Sequence, residues 1–479
     1  MKASKIGIAI LSALLFFQCR HAEKKEVPPN IVFILADDLG YGDLSCYGQT
    51  RFKTPHIDAL ANGGLVFTQH YAGCTVCAPS RSALLTGQHT GHTFIRGNKE
   101  VQPEGQYPLA DSIYTLAEMF KANGYTTGIF GKWGLGFPGS EGDPMNQGFD
   151  TFVGYNCQRM GHSYYPPYLW YDREKVLIPE NEGPNNGIYA PERIHQRALN
   201  FIEANKDHSF FLYIPTIIPH AELIAPAKYM AKYHGKFGKE TPYAGTGPRD
   251  KNYKVGGYAS QPEPRAAFAA MIAILDEQVG EIVQKLKALD LYDNTIIIFT
   301  SDNGPHQEAG ADPDYFNSNG ELRGSKRDLY EGGIRVPLIV HWPAKVRPGK
   351  TSHISAFWDF MPSFSELIGV TPPPTDGISL CPTLFGQPDL QENHDYLYWE
   401  FHEQGGKQAL RKRKWKAVRL NVNDPGKSIS ELYDLEDDYV EAHDLSGVYP
   451  DTLRELEVLM YNVRRTNPVF RFDSEKNIN

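Results

Sequence analysis

The 479-residue chain contains 41% apolar and 22% charged residues, a composition typical of folded globular proteins. This balance excludes an intrinsically disordered chain and a protein with many membrane-spanning segments. The formal net charge of −9 argues against a general nucleic-acid binder, since such proteins usually present a basic face. The 44 glycines and 34 prolines are spread along the chain without a period, which indicates a loop-rich enzyme rather than a fibre.

Residues 1–19 have the pattern of an export signal. Two lysines precede an apolar run from Ile6 to Phe17, which is too short to span a bilayer as a mature helix. The run ends in Gln18 and Cys19 and is similar to a bacterial lipobox, in which the cysteine is lipidated, although Gln18 departs from the small residue usual there. We expect an exported protein, either periplasmic or an outer-membrane lipoprotein of a bacterium, that contacts the membrane only through a lipid on Cys19. Residues 20–28 are then a tether.

Short apolar runs that end abruptly at polar residues, proline or glycine predict strands at residues 31–36, 125–130, 210–214, 295–300 and 336–340. Helical stretches lie between them, and one carries an apolar stripe from Phe268 to Leu286. Such strands, separated by helices, are typical of a parallel sheet covered on both faces. We therefore predict an α/β domain over residues 29–372, with a large mixed, mostly parallel sheet sandwiched by helices.

The pattern changes after the three prolines at 372–374. Residues 396–401, 414–420 and 431–435 read as short strands, and residues 451–465 read as a closing helix. We predict a small antiparallel α+β subdomain over residues 373–479.

Oxygen-bearing side chains follow two of the predicted strands. Asp37 and Asp38 come after the first strand, and Asp302 and Asn303 follow the strand at 295–300. Ligands of open α/β sheets bind at the carboxyl ends of the strands, and carboxylate and amide oxygens suit calcium or magnesium. Taken alone, each pair also fits a turn or a helix cap.

Besides Cys19 the chain has five cysteines, too few for a disulfide scaffold, and the default expectation is a buried thiol. Cys74 and Cys77 form a C-x-x-C pair, but a zinc site would need a second pair of ligands. The residues after Cys77 read CAPSRSALLTG over 77–87.

This motif resembles the signature of type I sulfatases of the alkaline phosphatase superfamily, C-x-P-S-R followed by Leu-Thr-Gly. The resemblance covers nearly the whole chain after the export signal. It includes NIVFILADDLGYG at 30–42, GKW at 131–133, SDNG at 301–304 and GSKRDLYEGGIRVP at 324–337. It extends to bacterial arylsulfatase A-like and N-acetylgalactosamine-6-sulfatase-like exported sulfatases.

The resemblance implies that a dedicated maturation enzyme oxidises Cys77 to formylglycine, which hydrates to a diol. A diol oxygen attacks sulfur and forms a hemiacetal sulfate, which then expels sulfate and restores the aldehyde. A thiolate would instead leave a stable thiosulfate-like ester. The family's pattern also assigns a divalent cation, most often calcium, to Asp37, Asp38, Asp302 and Asn303.

The resemblance also implies catalytic roles for four further residues. Arg81 would orient the diol, and Lys132 and Lys326 would hold the sulfate oxygens and stabilise the transition state. His220, together with Lys326, would protonate the departing alcohol. The alternative for the lysines is a solvated surface charge, and for His220 a hydrogen-bonded core histidine.

One position departs from the family's pattern. The motif usually reads G-K-W-H-L-G, but Gly134 stands where the histidine contacts the formylglycine hydrate. His162 is a candidate to replace that histidine from a loop. Alternatively, sulfate release needs no dedicated base, and His162 binds substrate or lies on the surface.

The substrate class rests on weaker signals. Asp312, Asp314, Glu400 and His402 are polar candidates for contacts with sugar hydroxyls. Aromatic residues that could stack on sugar rings cluster in one stretch, namely Tyr164, Tyr165, Tyr168, Trp170 and Tyr171. The insert at 304–324 resembles bacterial sulfatases that act on galactose or N-acetylgalactosamine sulfates.

We therefore expect a glycan sulfatase whose partners are a sulfated glycan and the maturation enzyme, with no nucleic acid. Two alternatives remain open at this stage. One is a phosphodiester or phosphonate monoester hydrolase of the same superfamily, and the other is a surface glycan-binding lipoprotein that has lost its chemistry, for which Gly134 is the only support.

Overall fold

The computed structural model describes residues 28–182, 186–247 and 257–475. The predicted export signal, its Cys19 and the tether up to residue 27 lie outside the described residues. Within the described part, no helix has the length and apolar character needed to cross a membrane.

The strands of the described residues form two sheets. Their bounds are β1 Asn30–Ala36, β2 Leu65–Tyr71, β3 Thr126–Lys132, β4 Thr151–Tyr155, β5 Tyr168–Tyr171, β6 Glu174–Leu177, β7 Phe210–Pro215, β8 Thr295–Ser301, β9 Arg335–His341, β10 Gly349–Thr351, β11 Ser355–Ala356, β12 Leu397–Phe401, β13 Lys407–Lys412, β14 Trp415–Leu420 and β15 Ile429–Asp434.

The α-helices are α1 Pro55–Gly63, α2 Cys77–Thr86, α3 Leu116–Ala122, α4 Ala190–Ala204, α5 Ala227–Tyr233, α6 Pro264–Ala288, α7 Pro313–Phe316, α8 Glu331–Ile334, α9 Phe360–Leu367, α10 Cys381–Leu384 and α11 Pro450–Asn462. Short 3-10 helices span Ser45–Tyr47, Met160–His162, Pro179–Asn181, Tyr292–Asn294, Phe357–Asp359, Pro388–Leu390 and Asp473–Glu475.

The large sheet has the strand order β10-β2-β9-β8-β1-β7-β3-β4-β5-β6, and β11 also pairs with β2. Its centre, from β8 through β1, β7 and β3 to β4, is parallel. Antiparallel pairs flank this centre on both sides, since β9 runs against β8 and β5 runs against β4. The predicted mixed, mostly parallel sheet is confirmed, and each of the five predicted strands lies within two residues of an observed one.

Both faces of the large sheet are covered, which explains why its central strands are apolar throughout. Val32 and Ile34 of β1 pack on one face against a cluster that includes α1, α4 and α6. Phe33 and Leu35, which point the other way, pack against a cluster that includes α2, α3 and α9. The sheet therefore lies between two layers of helices, and the carboxyl ends of its parallel strands lie at the same edge.

The second sheet is antiparallel, with the order β12-β13-β14-β15, and α11 packs on it. The predicted antiparallel α+β architecture of this part is confirmed, but the sequence analysis missed β13. Its sequence KQALRK is mostly polar, because its Lys407, Gln408 and Arg411 side chains form hydrogen bonds to other parts of the chain. The boundary at residues 372 and 373 stays a prediction.

A buried ionic cluster joins the two sheets. Lys416 of β14 lies 2.9 Å from Glu331 of α8 and 2.8 Å from Glu441, and all three side chains are fully buried. The Tyr71 hydroxyl of β2 donates a hydrogen bond to Glu331. Buried charges of this kind are tolerated only when each one is paired.

Replacing Lys416 with methionine is expected to lower the free energy of unfolding by about 3–5 kcal/mol, because two buried glutamates would lose the ammonium group between them and Glu331 would keep only Arg335 at 3.5 Å. Urea unfolding followed by tryptophan fluorescence measures this change. The matched control is Lys427→Met, an exposed lysine paired with Asp424, for which a change below about 0.5 kcal/mol is expected. A Lys416→Met protein as stable as the control would contradict the role of the cluster.

Candidate active site

Four oxygen-bearing side chains meet at the carboxyl edge of the large sheet. β1 and β8 are parallel neighbours with Ala36 opposite Ser301, so the residues that follow them are adjacent in space. The Asp38 backbone N–H donates to Asp302 Oδ1 over 3.1 Å, and Asn303 Nδ2 donates to Asp38 Oδ1 over 2.7 Å. Together with Asp37, these side chains are fully buried. The structure therefore brings together the predicted metal ligands.

Cys77 is the first residue of α2, and its thiol faces this cluster. The Sγ atom lies 3.3 Å from Asp37 Oδ1 and 3.4 Å from Lys132 Nζ. Burial, and then the negative charge of Asp37, raises the pKa of the thiol well above its usual value. The unmodified cysteine is therefore neutral and a poor nucleophile.

Arg81, one turn further along α2, bridges two of the carboxylates. Its Nε and Nη2 atoms donate to Asp302 Oδ2 over 3.1 and 2.9 Å, and Nη2 lies 3.5 Å from Asp37 Oδ2. The Ser80 hydroxyl donates to the Asp302 carbonyl, so α2 is fixed to the end of β8. This geometry holds Cys77 in register with the carboxylates.

Lys132 and Lys326 contact different carboxylates of the cluster. Lys132, the last residue of β3, lies 2.6 Å from Asp37 Oδ2, and Lys326 lies 2.7 Å from Asp38 Oδ2. Burial would lower the pKa of both lysines, but the neighbouring carboxylates outweigh it and the pKa values are raised. Both are buried ammonium groups, so they are not solvated surface charges.

His220 is held in one tautomer. Its Nδ1 lies 2.5 Å from the Ala221 carbonyl, which can only accept, so Nδ1 carries the proton. Nε2 is then the acceptor for Lys326 Nζ at 3.0 Å. Burial, and then the charge of Lys326, lowers the pKa of His220 well below its usual value. The pair is thus a neutral imidazole beside an ammonium group.

Three further side chains line the same site. The rings of His162 and His306 stack on His220, with centroids 4.7 and 5.7 Å away, and Tyr258 packs beside His162. Of these, only His162 was named from the sequence, as a candidate base or substrate contact. The structure brings it to the site.

Glu308 was also missed, although it lies in the insert at 304–324. Its Oε2 atom is 3.4 Å from Lys326 Nζ, and its Oε1 atom accepts from Arg327 over 2.6 Å. Burial would raise the pKa of Glu308, but Lys326 and other cations lower it to about 2. A partly exposed carboxylate beside Lys326 is suited to contact a substrate hydroxyl, and only the fold shows this proximity.

The residues present fit a divalent cation. Asn303 Oδ1 is buried and has no hydrogen-bond partner in the described residues. Burial, and then the charge of Asp37, raises the pKa of Asp302. An unpaired oxygen and crowded carboxylates are the surroundings that a hard cation relieves. Asp37, Asp38, Cys77 and His220 also offer ligand atoms within 4.8 Å of one another.

Two of the residues predicted to contact sugar hydroxyls, Glu400 and His402, have structural partners instead. Glu400 is fully buried and pairs with Arg96 at 2.9 Å and Arg464 at 2.9 Å, so it is unavailable to a sugar, and this expectation is corrected. His402 lies 3.0 Å from Glu400 and stacks on Phe472. Glu400 therefore joins the C-terminal part to Arg96, and His402 packs within that part.

The other candidates have contacts that suggest structural roles. Asp312 accepts a hydrogen bond at the start of α7 and pairs with Arg265 at 2.6 Å, whereas Asp314 is exposed on that helix. In the aromatic stretch, Tyr164 is fully buried, and Tyr168 and Trp170 donate to Glu104. The Tyr164 hydroxyl donates to the carbonyls of Ile217 and His220, so this ring supports the backbone at His220 rather than a sugar.

The cluster around Cys77 lies at the carboxyl edge of a large mixed sheet, and sheet and site together match the arrangement of hydrolases with an alkaline phosphatase-like fold. The family model described as Sulfatase matches residues 29–370, and the model for the C-terminal part of N-sulphoglucosamine sulphohydrolase matches residues 323–464. The chain belongs to the sulfatase family and is a sulfuric ester hydrolase.

Individual relatives and a solved structure support the same family. The N-acetylgalactosamine-6-O-sulfatase of Bacteroides thetaiotaomicron is 29% identical, over 96% of this chain and 97% of the relative. Human arylsulfatase A is 32% identical, over 90% of this chain and 87% of the relative. Ps i-CgsB, whose crystal structure has been solved, is 28% identical in sequence. Its structure matches this one with a TM-score of 0.75 over 94% of this chain and 96% of that chain.

Replacing Lys326 with alanine is expected to lower kcat/KM for an aryl sulfate by about a hundredfold or more, because it removes the ammonium group between Asp38 and His220. Steady-state kinetics measure the loss, and circular dichroism checks that the fold is kept. Lys350→Ala, at an exposed position of β10, is the control and should keep full activity. Near wild-type turnover of the Lys326 variant would overturn the assignment.

Proposed function

We propose that the protein is a formylglycine-dependent glycan sulfatase in which Cys77 is the residue oxidised by a maturation enzyme. The observation that carries the proposal is the position of Cys77, whose Sγ lies 3.4 Å from Lys132 and 3.3 Å from Asp37. An oxygen on this residue would lie among cations at a buried sheet edge, where an anionic ester can be held and attacked. A neutral buried thiol has no comparable role.

The chain's own residues would hold the substrate as follows. Lys132 and Lys326 lie at neighbouring carboxylates of the cluster, so we propose that their ammonium groups bind the sulfate oxygens and stabilise charge in the transition state. Arg81 keeps Asp37 and Asp302 in position. A bound cation, which we propose to be calcium, would supply Lewis-acid polarisation at Asp37, Asp38, Asp302 and Asn303.

The leaving alcohol needs a proton, and the His220 and Lys326 pair can supply one. Because His220 Nε2 accepts from Lys326 Nζ, the proton resides on the lysine in the resting site. Transfer can occur directly from the ammonium group, or through the imidazole as it shifts from acceptor to donor. His162, Tyr258 and Glu308 are positioned at this side and are the candidates for contact with the sugar.

We propose galactose or N-acetylgalactosamine sulfates as the substrate class. The relatives at 29% and 31% identity from Bacteroides thetaiotaomicron and human are named as sulfatases of N-acetylgalactosamine 6-sulfate. Ps i-CgsB, at 28% identity, has been solved with k-i-k-neocarrahexaose. A sulfatase that acts on such glycans outside the cell is consistent with our proposal of an exported protein, lipidated at Cys19 or secreted into the periplasm.

When the protein is produced together with a formylglycine-generating enzyme, its tryptic peptide that contains residue 77 is expected to be about 18 Da lighter than the same peptide with cysteine. This protein should release sulfate from a panel of galactose and N-acetylgalactosamine sulfates, and Cys77→Ala should release none. Tryptic-peptide mass and ion chromatography measure the two outcomes. If the aldehyde is present but an aryl phosphodiester reacts faster than every sulfate, the protein is a phosphodiesterase. If the aldehyde is present and no galactose or N-acetylgalactosamine sulfate reacts, the proposed substrate class is wrong.

Removal of divalent cations is expected to abolish sulfate release and to lower the melting temperature, because a cation that binds only the folded site stabilises it. Addition of calcium at about 100 times its Kd should restore activity and stabilise the fold by about 2.7 kcal/mol. Differential scanning fluorimetry and the sulfate assay measure both effects. Asp302→Asn is the matched variant and should show a weaker calcium response. A chelated enzyme with full activity would contradict the metal assignment.

A further inference from the structure

Arg327 adopts a backbone conformation that is unfavourable for an arginine. It is the third residue of a turn at residues 325–328, which is closed by a hydrogen bond from the Asp328 N–H to the Ser325 carbonyl over 2.9 Å. Its φ of +78° lies in the left-handed region, where turns favour glycine because a Cβ atom is strained there. Backbone strain of this kind concentrates at functional sites, so the side chain of Arg327 needs a functional explanation.

Contacts from two other segments hold this turn in place. The Arg327 backbone N–H donates to the Thr75 carbonyl over 3.2 Å, shortly before α2. Lys407 of β13 donates to the Arg327 carbonyl over 2.7 Å. The turn also contains Lys326, whose ammonium group lies 3.0 Å from His220 Nε2. Arg327 therefore has a fixed position beside the lysine on the leaving-group side of the site.

The guanidinium group of Arg327 lies at the same side of the site. Its Nη2 atom donates to Glu308 Oε1 over 2.6 Å, and Glu308 Oε2 lies 3.4 Å from Lys326 Nζ. A single carboxylate thus separates the guanidinium group from the Lys326 ammonium group. The side chain of Arg327 is 33% exposed and that of Glu308 is 20% exposed, so a ligand can reach both. Within the described residues, Nη2 is the only guanidinium nitrogen with a protein acceptor, which leaves Nε and Nη1 to donate to a ligand.

A hydrogen-bond donor and an acceptor that lie side by side suit a sugar hydroxyl. The remaining N–H groups of Arg327 can donate to the hydroxyl oxygen, and the Glu308 carboxylate can accept the hydroxyl proton. A simple aryl sulfate has no hydroxyl next to its ester. Contacts from this pair would therefore favour a sugar sulfate over an aryl sulfate.

We propose that Arg327 is a specificity-determining residue that, together with Glu308, binds a hydroxyl group of the sugar next to the cleaved ester. This inference rests on the proposed function, because it assigns a contact on the leaving-group side of that reaction. The strained turn is then explained, since glycine at position 327 would relieve the backbone but lose the contact. The guanidinium group stays protonated, so Arg327 binds and orients the sugar and takes no part in proton transfer.

The test compares Arg327→Gly with the wild type, both with formylglycine at residue 77 verified by mass. Each is assayed on a galactose or N-acetylgalactosamine sulfate and on an aryl sulfate. We expect the ratio of kcat/KM for the sugar sulfate to kcat/KM for the aryl sulfate to fall about tenfold or more, because a charge-assisted hydrogen bond to the sugar is lost. An indirect effect through Lys326 changes both values equally and cancels in the ratio. The melting temperature should stay close to that of the wild type, since relief of the backbone offsets the lost ion pair with Glu308.

The matched control is Arg413→Gly. Arg413 also has a positive φ, of +56°, but it is exposed and follows the end of β13 that lies away from Lys407. Its replacement relieves the same kind of strain and should leave both kcat/KM values within about twofold of the wild type. If Arg327→Gly is unstable, Arg327→Asn takes its place, because asparagine also tolerates a positive φ.

Product inhibition gives a second readout that needs no aryl substrate. In the Arg327 variant, the Ki of the desulfated sugar should rise about threefold or more, because the sugar loses a hydrogen bond. The Ki of inorganic sulfate, which carries no sugar, should stay within about twofold.

An unchanged ratio, with equal losses on both substrates or no loss, overturns the inference. A double variant separates direct contact from an effect through Glu308. In a Glu308→Ala background, Arg327→Gly should lower the ratio by a further factor of about three or more. The absence of a further loss would show that Arg327 only holds Glu308, and this also overturns the inference. A wild-type enzyme that carries formylglycine but releases sulfate from no glycan would instead reject the proposed function.

Discussion

Charge neutralisation inside the protein is the constraint on which the active site depends. Asp37, Asp38 and Asp302 are fully buried at one sheet edge, where an unpaired carboxylate would cost several kcal/mol. Arg81, Lys132 and Lys326 neutralise them at 2.6 to 2.9 Å. A divalent cation at the same carboxylates would take over part of this role and leave ammonium charge for an anionic substrate. The pocket can therefore be positive although the chain carries a net charge of −9.

The C-terminal sheet supports this site. Lys407 of β13 donates to the Arg327 carbonyl over 2.7 Å and to Asp328 over 2.9 Å, directly after Lys326 in the chain. Lys416 of β14 binds Glu331 a few residues further on. The segment that carries Lys326 is thus held from the C-terminal side by two lysines. Glu400 has a similar supporting role, since it binds Arg96 of the segment after α2 and Arg464 after α11.

Much of the fold could be predicted from local sequence, because buried parallel strands such as 31–36 and 295–300 are apolar runs with clear ends. The proximity of Asp37, Asp38, Asp302 and Asn303 could be predicted because these residues follow those ends directly. Strands with polar faces, such as β13, could not, since their side chains pair with residues far away in the chain. Glu400 was misassigned for the same reason. An acidic residue on a short strand looks exposed until the fold brings Arg96 and Arg464 to it.

Gly134 shows how a missing residue can be misleading when positions are considered one at a time. Read alone, the glycine suggests a site that has lost a catalytic group. In the fold, the left-handed glycine and Gln158 are complementary, because the amide lies where a Cβ atom would be excluded. The glycine at this position is therefore explained by the packing around it. It does not count against hydrolase chemistry, because Cys77, Lys132 and Lys326 still meet at the carboxylates.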